Sequence, residues 1–359
     1  MQDWARLRRQ LLRWSAKHRR DLPWRRSRDA YRVWISEIML QQTTVAAVIP
    51  YFERFLLRFP TLGALASADE HEVLRLWEGL GYYSRARNLH AAARKVVAEH
   101  AGIIPSDVAT LRTLPGIGRY TAGAIASFAY DRPAPIVEAN TQRVYARLMA
   151  FREPADSTVA RNAIWAFAER AVPARSAGDF NEALMDLGAT VCVPVNPRCE
   201  ECPISSCCQA FREGLQAEIP PPRQRPEPTA VSQAMIAVRR GRRYLLRRSP
   251  TGERWAGLWE FLRVPVTPAK GVSLAVLERA VIEFCGLTVE AERGGFELRH
   301  TVTRFRIRLH CTTARHLSGT PNGPAEYRWA RPDEFPHFAF SMPARKFADR
   351  LVGPDSHTP

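Results

Sequence analysis

Between residues 217 and 230 the chain reads AEIPPPRQRPEPTA, with five prolines in the nine positions from Pro220 to Pro228. Each proline lacks an N–H and fixes φ, so neither a helix nor a paired strand runs through such a stretch. The chain is thereby cut in two, and its 359 residues are enough for two domains, each with its own core. Before the cut, segments such as YRVWISEIMLQQTTVAAVIPYFERFLLRFP and DEHEVLRLWEGLGYYSRARNLHAAARKVVAEH space their apolar residues by three and four, the period of helices. After it the period changes. In VTRFRIRLHC, residues 302–311, Phe305, Ile307, Leu309 and Cys311 alternate with Arg304, Arg306, Arg308 and His310, as in a half-buried strand with one basic face. Further strand-like pieces at 232–239, 244–248 and 326–330 and helix-like pieces at 273–285 and 343–352 make the second domain α+β. The expected organisation is a multidomain chain: an all-α domain over 1–216, a Pro-rich linker over 217–230 and an α+β domain over 231–359.

Lys and Arg number 52 against 36 Asp and Glu, a net charge of +16 and a pI near 10.2, so the field of the protein draws polyanions, nucleic acid first among them. Arginine replacing lysine throughout a proteome would not create that excess over acids. No run approaches the eighteen or so apolar residues of a membrane span, and the start, with Arg6, Arg8, Arg9, Arg13, Lys17, Arg19 and Arg20, lacks an apolar secretory segment. These features point to a cytosolic protein with no membrane partner. In that reducing compartment, clustered thiols serve as metal ligands more often than as disulfides.

Five of the seven cysteines fall within CVPVNPRCEECPISSCC, residues 192–208. Cys192, Cys199, Cys202 and Cys208 are spaced C-x6-C-x2-C-x5-C, and four thiolates in one short loop suit either a zinc ion or an iron–sulfur cluster. A single C-x2-C knuckle with arms of six and five resembles the 4Fe-4S cluster loop of the endonuclease III and MutY DNA glycosylases, leaving Cys207 as the spare thiol. Structural zinc and a disulfide frame are the alternatives. The resemblance implies a structural cluster that shapes a phosphate-binding loop, with Arg198 in the loop itself.

The resemblance extends over nearly the whole chain. LRTLPGIGRYTAGAIASFA, residues 111–129, looks like the helix-hairpin-helix of this superfamily, in which Gly116 and Gly118 permit a tight turn whose N–H groups face a DNA phosphate. VWISEIMLQQT, residues 33–43, resembles the MutY signature, and the match makes Glu37 the acid that protonates adenine at N7. Its neighbours Trp34, Ile35, Ile38 and Met39 disfavour a carboxylate and keep the acid protonated near neutral pH. Endonuclease III-like lyases carry a lysine where this chain has Tyr120; a phenol forms no imine, so the resemblance implies a monofunctional glycosylase that uses water. The family's Asp-Gly-Asn is here Glu138-Ala139-Asn140. Either the backbone has retreated to let Glu138 stabilise the sugar cation, which is the expectation, or Glu138 is a helix-cap substitute in a weakened enzyme. Asn140 and Glu182, in FNEALMDLGA, match residues that support the pocket by hydrogen bonds.

An adenine must leave the duplex to enter such a pocket. Gln42 and Tyr82 match residues that wedge into the stack near the opposite base, and Arg25, in LPWRR, matches one near the flipped nucleotide. In the second domain, GLWEF at 257–261 and LRHTVTRFRIRL at 298–309 look like the MutT-like recognition domain of MutY, which has the Nudix fold. Its helix offers only Glu278 and Glu283 in place of the magnesium-holding carboxylates of Nudix hydrolases, so nucleotide hydrolysis is not expected. Where the family places a Phe-Ser-His tip against 8-oxoguanine, this chain has Val302, Thr303 and Arg304. Thr303 keeps a hydroxyl for the lesion, and Arg304 is suited to a phosphate or to a guanine O6/N7 edge.

The resemblance therefore implies a monomeric bacterial adenine DNA glycosylase, cytoplasmic and associated with the nucleoid. It acts in base excision repair on double-stranded DNA with A:8-oxoguanine or A:G mispairs, alongside clamp or downstream repair proteins. The alternatives are a mismatch glycosylase for thymine or an oxidised pyrimidine, and a DNA-binding homologue with weakened chemistry.

Overall fold

A computed structural model describes residues 3–154, 157–222, 227–266 and 273–353. The chain packs as two compact units, one of Met1–Ala68 with Ser84–Gln224, the other of Asp69–Tyr83 with Arg225–Pro359. The second unit thus takes in fifteen residues that the proline boundary assigns to the first. The helical unit also continues past residue 216: Ile219 lies in its core and its carbonyl accepts from Arg147 Nε at 2.8 Å. Residues 223–226 of the expected linker lie outside the described residues, and its last two, Thr229 and Ala230, are already in a strand.

The first unit is built from α1 (Trp4–His18), α2 (Ala30–Leu40), α3 (Val45–Arg58) and α4 (Leu62–Ser67). After α5 (Glu70–Leu76), which belongs to the second unit, the first resumes with α6 (Ser84–Glu99), α7 (Val108–Leu111), α8 (Arg119–Tyr130) and α9 (Ala139–Leu148). It closes with α10 (Thr158–Ala171), α11 (Ala177–Thr190) and the short α12 (Gln209–Arg212). Side-chain oxygens cap the exposed donors at several helix starts, among them Asp3 on Arg6 N at 2.9 Å and Asp29 on Arg32 N at 2.8 Å. Helix α2 buries Tyr31 and every residue from Val33 to Met39, so it runs through the unit rather than over it. Helices α9, α10 and α11 share a second core with Leu7 and Leu11 of α1. The cysteine loop packs against that core through Cys192, Cys202 and Cys208.

The second unit is a mixed eight-stranded sheet among the described residues. Its strands are β1 (Thr229–Arg240), β2 (Arg243–Arg248), β3 (Trp259–Glu260), β4 (Leu262–Pro265), β5 (Thr288–Ala291), β6 (Phe296–Val302), β7 (Phe305–Ser318) and β8 (Glu326–Ala330). Strands β1 and β7 run parallel in register from Thr229↔Phe305 to Arg239↔Arg315. Met235 and Ala237 of β1 face a core shared with α14 (Met342–Val352), while Ala234, Ile236 and Val238 face one shared with α13 (Leu274–Cys285). A strand buried on both faces reads as a continuous apolar run, which is how AMIAV reads.

The period-two segment at 302–311 is not one strand. Val302 ends β6, Thr303 and Arg304 form the turn, and β7 begins at Phe305. Alternation survives from Phe305 onward, with Ile307, Leu309 and Cys311 buried and Arg306 and Arg308 exposed.

Helices α9 and α11 approach closely at Gly188, where an added Cβ would stand 2.8 Å from Asn140 Cβ and 3.1 Å from its backbone carbonyl. Gly188→Ala forces the two helices apart, with an expected loss on the order of 1–3 kcal/mol. Equilibrium urea denaturation checks it, and an unchanged midpoint would contradict the close packing.

Candidate active site

A cavity of about 830 Å³ opens in the helical unit. Its wall includes Glu37 from α2, Gln42 from the loop after it, Gly116, Gly118 and Tyr120 from the hairpin, Glu138 and Asn140 from the start of α9, and Arg25 and Glu182. Nine of the residues singled out from the sequence therefore share one space. Tyr82, Thr303 and Arg304 belong to the second unit and are not among the lining residues.

Glu37 is 3% exposed, and its Oε2 accepts a hydrogen bond of 2.7 Å from Tyr120 Oη. Burial pushes its carboxyl up to about 7, an effect that the Tyr120 hydrogen bond and the Arg25 charge oppose and the charges of Glu138 and Glu182 reinforce. Burial and the neighbouring Glu37 carboxyl raise Tyr120 well above the usual phenol range, so it stays a donor.

Glu138 caps α9. Its Oε2 accepts from Asn140 N at 2.9 Å and its Oε1 from Thr141 N at 2.8 Å, while Thr141 Oγ1 accepts from Glu138 N at 2.9 Å, a capping box. The capping contacts of the second expectation are present, and they leave the carboxylate on the cavity wall. Each oxygen keeps a second lone-pair direction, and a negative charge is favoured at a helix N-terminus.

Asn140 Oδ1 accepts from Arg143 Nη2 at 3.0 Å. The same guanidinium donates to Gly188 O at 2.6 Å and, through Nε, to Cys192 O at 2.7 Å. One turn on, Arg147 donates to Cys192 Sγ at 3.3 Å, Val193 O at 2.8 Å and Pro194 O at 3.2 Å. The first cysteine is thus tied by two arginines to the helix that Glu138 caps.

Glu182 does not bond Asn140; it pairs with Arg19 at 2.7 Å and approaches Arg25 at 3.7 Å. Arg25 pairs with the fully buried Asp186 at 2.7 Å, and so does Arg20 at 2.5 Å. Asp186, Arg143 and Arg147 go unremarked in the sequence, where Arg19 and Arg20 figure only in the basic start. The signal for them is modest: Glu182 and Asp186, like Arg143 and Arg147, stand four apart on one helix face.

Gly116 has φ +75°, and an added Cβ would lie 2.7 Å from Asn88 Cβ, so the turn requires glycine. Gly118 is different from expectation. Its φ of −84° suits any residue, and no atom lies within 4 Å of an added Cβ. Its small size leaves the N-terminus of α8 open rather than permitting the turn. Gln42 (φ +57°), Tyr82 (φ +48°) and Thr303 (φ +52°) are all left-handed, a conformation that costs a non-glycine residue on the order of 1 kcal/mol and gathers at functional sites. Arg85 holds the loop of Gln42 by donating to Ile38 O and Met39 O, both at 2.9 Å, to Gln41 O, and to Thr43 Oγ1 at 3.2 Å. In the β6–β7 turn, Thr303 Oγ1 donates back to Val302 O at 2.7 Å, and the Arg304 and Arg254 guanidiniums lie over the Phe305 ring at 5.3 and 4.5 Å.

The thiols of Cys199, Cys202 and Cys208 each feel Cys192 electrostatically. Burial raises the Cys202 thiol to about 12 and that of Cys208 to about 11. Cys207 instead faces Gln10 Oε1 at 3.8 Å. Among the described residues no three metal-ligating side chains are gathered as ligands of a single ion.

Residues 35–169 match the HhH-GPD superfamily of base excision DNA repair proteins, and residues 233–350 match the NUDIX domain. The adenine DNA glycosylase of Mus musculus is 35% identical over 392 residues, covering 94% of this chain and 76% of that protein. That of Homo sapiens is 35% identical over 395 residues, covering 94% and 72%. The chain belongs to the adenine DNA glycosylase family. Among solved structures, a thermostable thymine-DNA glycosylase is 30% identical with a TM-score of 0.54, covering 58% of this chain and 97% of that one. The family likeness therefore spans both units, whereas that structure spans little more than half of the chain. No described helix is long and apolar enough to cross a membrane.

The Glu37 carboxyl is higher in the folded protein than in the unfolded chain, about 7 against 4.5. Its contribution to stability is complete below 4.5 and is lost as pH rises through about 7. Glu37→Gln, which cannot ionise, is expected to match the parent at pH 4 and to exceed it at pH 8 by on the order of 3 kcal/mol. Denaturation curves at the two pH values check this; equal differences at both would show that burial does not hold the proton.

Proposed function

We propose that this glycosylase removes adenine from A:8-oxoguanine and A:G mispairs in duplex DNA, in the cytoplasm and as the first step of base excision repair. The observation that carries the reading is a buried carboxylic acid, Glu37, poised near neutrality on the wall of a cavity that can take an extruded base.

In this mechanism the adenine swings out of the stack, with Gln42 and Tyr82 occupying the space it leaves. Protonated Glu37 gives its proton to N7 while the N-glycosidic electrons pass to the base, which departs neutral. The cation left on the sugar faces the Glu138 carboxylate. Water adds at C1′, and its proton returns to the Glu37 carboxylate, which Tyr120 stabilises by its hydrogen bond. With a tyrosine at position 120 no covalent imine forms, so the product is an abasic site. The open N-terminus of α8 suits a DNA phosphate. In the second unit, Thr303 and Arg304 would meet the opposite base. Arg304 offers a guanine O6/N7 edge its donors, which both guanine and 8-oxoguanine partners can use through O6, so the choice between them is relaxed.

Cys192, Cys199, Cys202 and Cys208 would hold a 4Fe-4S cluster, whose contribution is to fold the loop that Arg143 and Arg147 tie to α9.

Single-turnover release of adenine is expected to hold constant below about pH 7 and to fall tenfold per unit above it, as the acid loses its proton. Duplexes with A:8-oxoguanine, A:G, T:G and an oxidised pyrimidine are the panel; thymine release without adenine release would overturn the assignment. Glu138→Gln keeps a capping oxygen but removes the charge. A rate about 10²-fold lower is expected, with a melting temperature lowered by a few degrees for the lost cap bond, whereas a full rate would leave Glu138 as a cap alone.

A further inference from the structure

Asp69–Tyr83 leaves the helical unit between α4 and α6 and packs with the sheet unit. His71, Glu78 and Tyr83 pin it there. Arg345 of α14 grips Glu78 with Nε on Oε1 at 2.6 Å and Nη2 on Oε2 at 3.2 Å, a forked pair whose side chains are 20% and 13% exposed. Glu78 Oε2 also accepts from Phe340 N at 3.1 Å, and Arg345 donates to Phe335 O at 3.2 Å and Phe338 O at 2.9 Å. On either side, His71 Nε2 bonds His337 O at 2.8 Å and Tyr83 Oη donates to Phe340 O at 3.3 Å.

Between the pins at 78 and 83 the backbone is left-handed at Gly79 (φ +101°), Gly81 (φ +71°) and Tyr82 (φ +48°). Two glycines that tolerate many conformations cannot by themselves aim the next side chain. A left-handed tyrosine persists only where its surroundings over-determine it. The forked ion pair is one of those surroundings, beside the bond from Trp77 Nε1 to Gly81 O at 3.2 Å and that from Gly79 N to Tyr83 Oη at 3.3 Å.

We propose that Arg345 is a positioning residue for Tyr82. By holding Glu78 it fixes the backbone on which the tyrosine stands, so one unit carries both the ring that enters the base stack and the β6–β7 turn that meets the opposite base. The inference rests on the stacking role assigned to Tyr82 above. Loosening the clamp displaces the ring without touching the acid, so base extrusion suffers and proton delivery does not.

The test uses the full-length chain and a duplex with adenine, or fluorescent 2-aminopurine in its place, opposite 8-oxoguanine. Arg345→Met is expected to slow single-turnover adenine release by about 10- to 100-fold and to diminish the fluorescence rise on binding. The fall of rate through about pH 7 should keep its midpoint. Glu78→Gln, which retains an acceptor for Phe340 N, should do the same more mildly and serves if Arg345→Met does not fold. Tyr82→Ala should show the same loss, and Tyr82→Ala combined with Arg345→Met should be no slower than the slower single variant. A normal rate for Tyr82→Ala would overturn the stacking role and this inference with it. A slow Tyr82→Ala beside a normal Arg345→Met and Glu78→Gln, or losses that multiply in the double variant, would overturn the clamp alone.

Discussion

The chemistry assigned to this protein depends on the desolvation of one carboxyl group. Glu37 sits on a helix buried along nearly its whole length, and removal from water raises its pKa more than all its favourable partners lower it. Those partners are arranged so that the balance falls near neutrality. The Arg25 guanidinium is shared with Asp186 at 2.7 Å and Glu182 at 3.7 Å, so its positive charge does not act on Glu37 alone. A hydrogen bond from Tyr120, itself unable to ionise near neutral pH, favours the anion that remains once the proton has gone. Near neutrality the group can therefore both hold a proton and give one up.

Helix α9 connects that site to the cysteine loop. Its first turn presents Glu138 and Asn140 to the cavity, and its second and third turns present Arg143 and Arg147 to the backbone of residues 192–194. A carboxylate at the helix N-terminus and arginines bound to carbonyls of the loop act along one rod, so the order of the loop and the position of the carboxylate are mechanically linked. Gly188 permits the close approach of α11 that completes the arrangement.

The second unit is organised around β1 and β7, which lie parallel and buried between two helical layers, leaving the β6–β7 turn at the margin of the sheet. Its basic residues there are stacked on Phe305 rather than arrayed as isolated charges. The segment Asp69–Tyr83 joins this unit although it is flanked by helical chain on both sides.

The sequence by itself determined the two fold classes, the position of Glu37 within a run of apolar residues, and the spacing of the four cysteines. Periodicity, proline content and local spacing are properties of neighbouring residues, and they survive without a tertiary structure. It also showed a carboxylate at 138, but whether that residue caps a helix, faces a cavity or does both depends on where α9 begins and what packs beside it. The tertiary structure alone decided that Asp186 takes the charge of Arg20 and Arg25, that Arg143 and Arg147 reach the cysteine loop, and that residues 69–83 pack with the sheet. Each of these is an interaction between residues dozens to hundreds of positions apart, and no local pattern encodes a long-range partner: an arginine four residues from another reads the same whether it meets solvent, a carboxylate or a carbonyl.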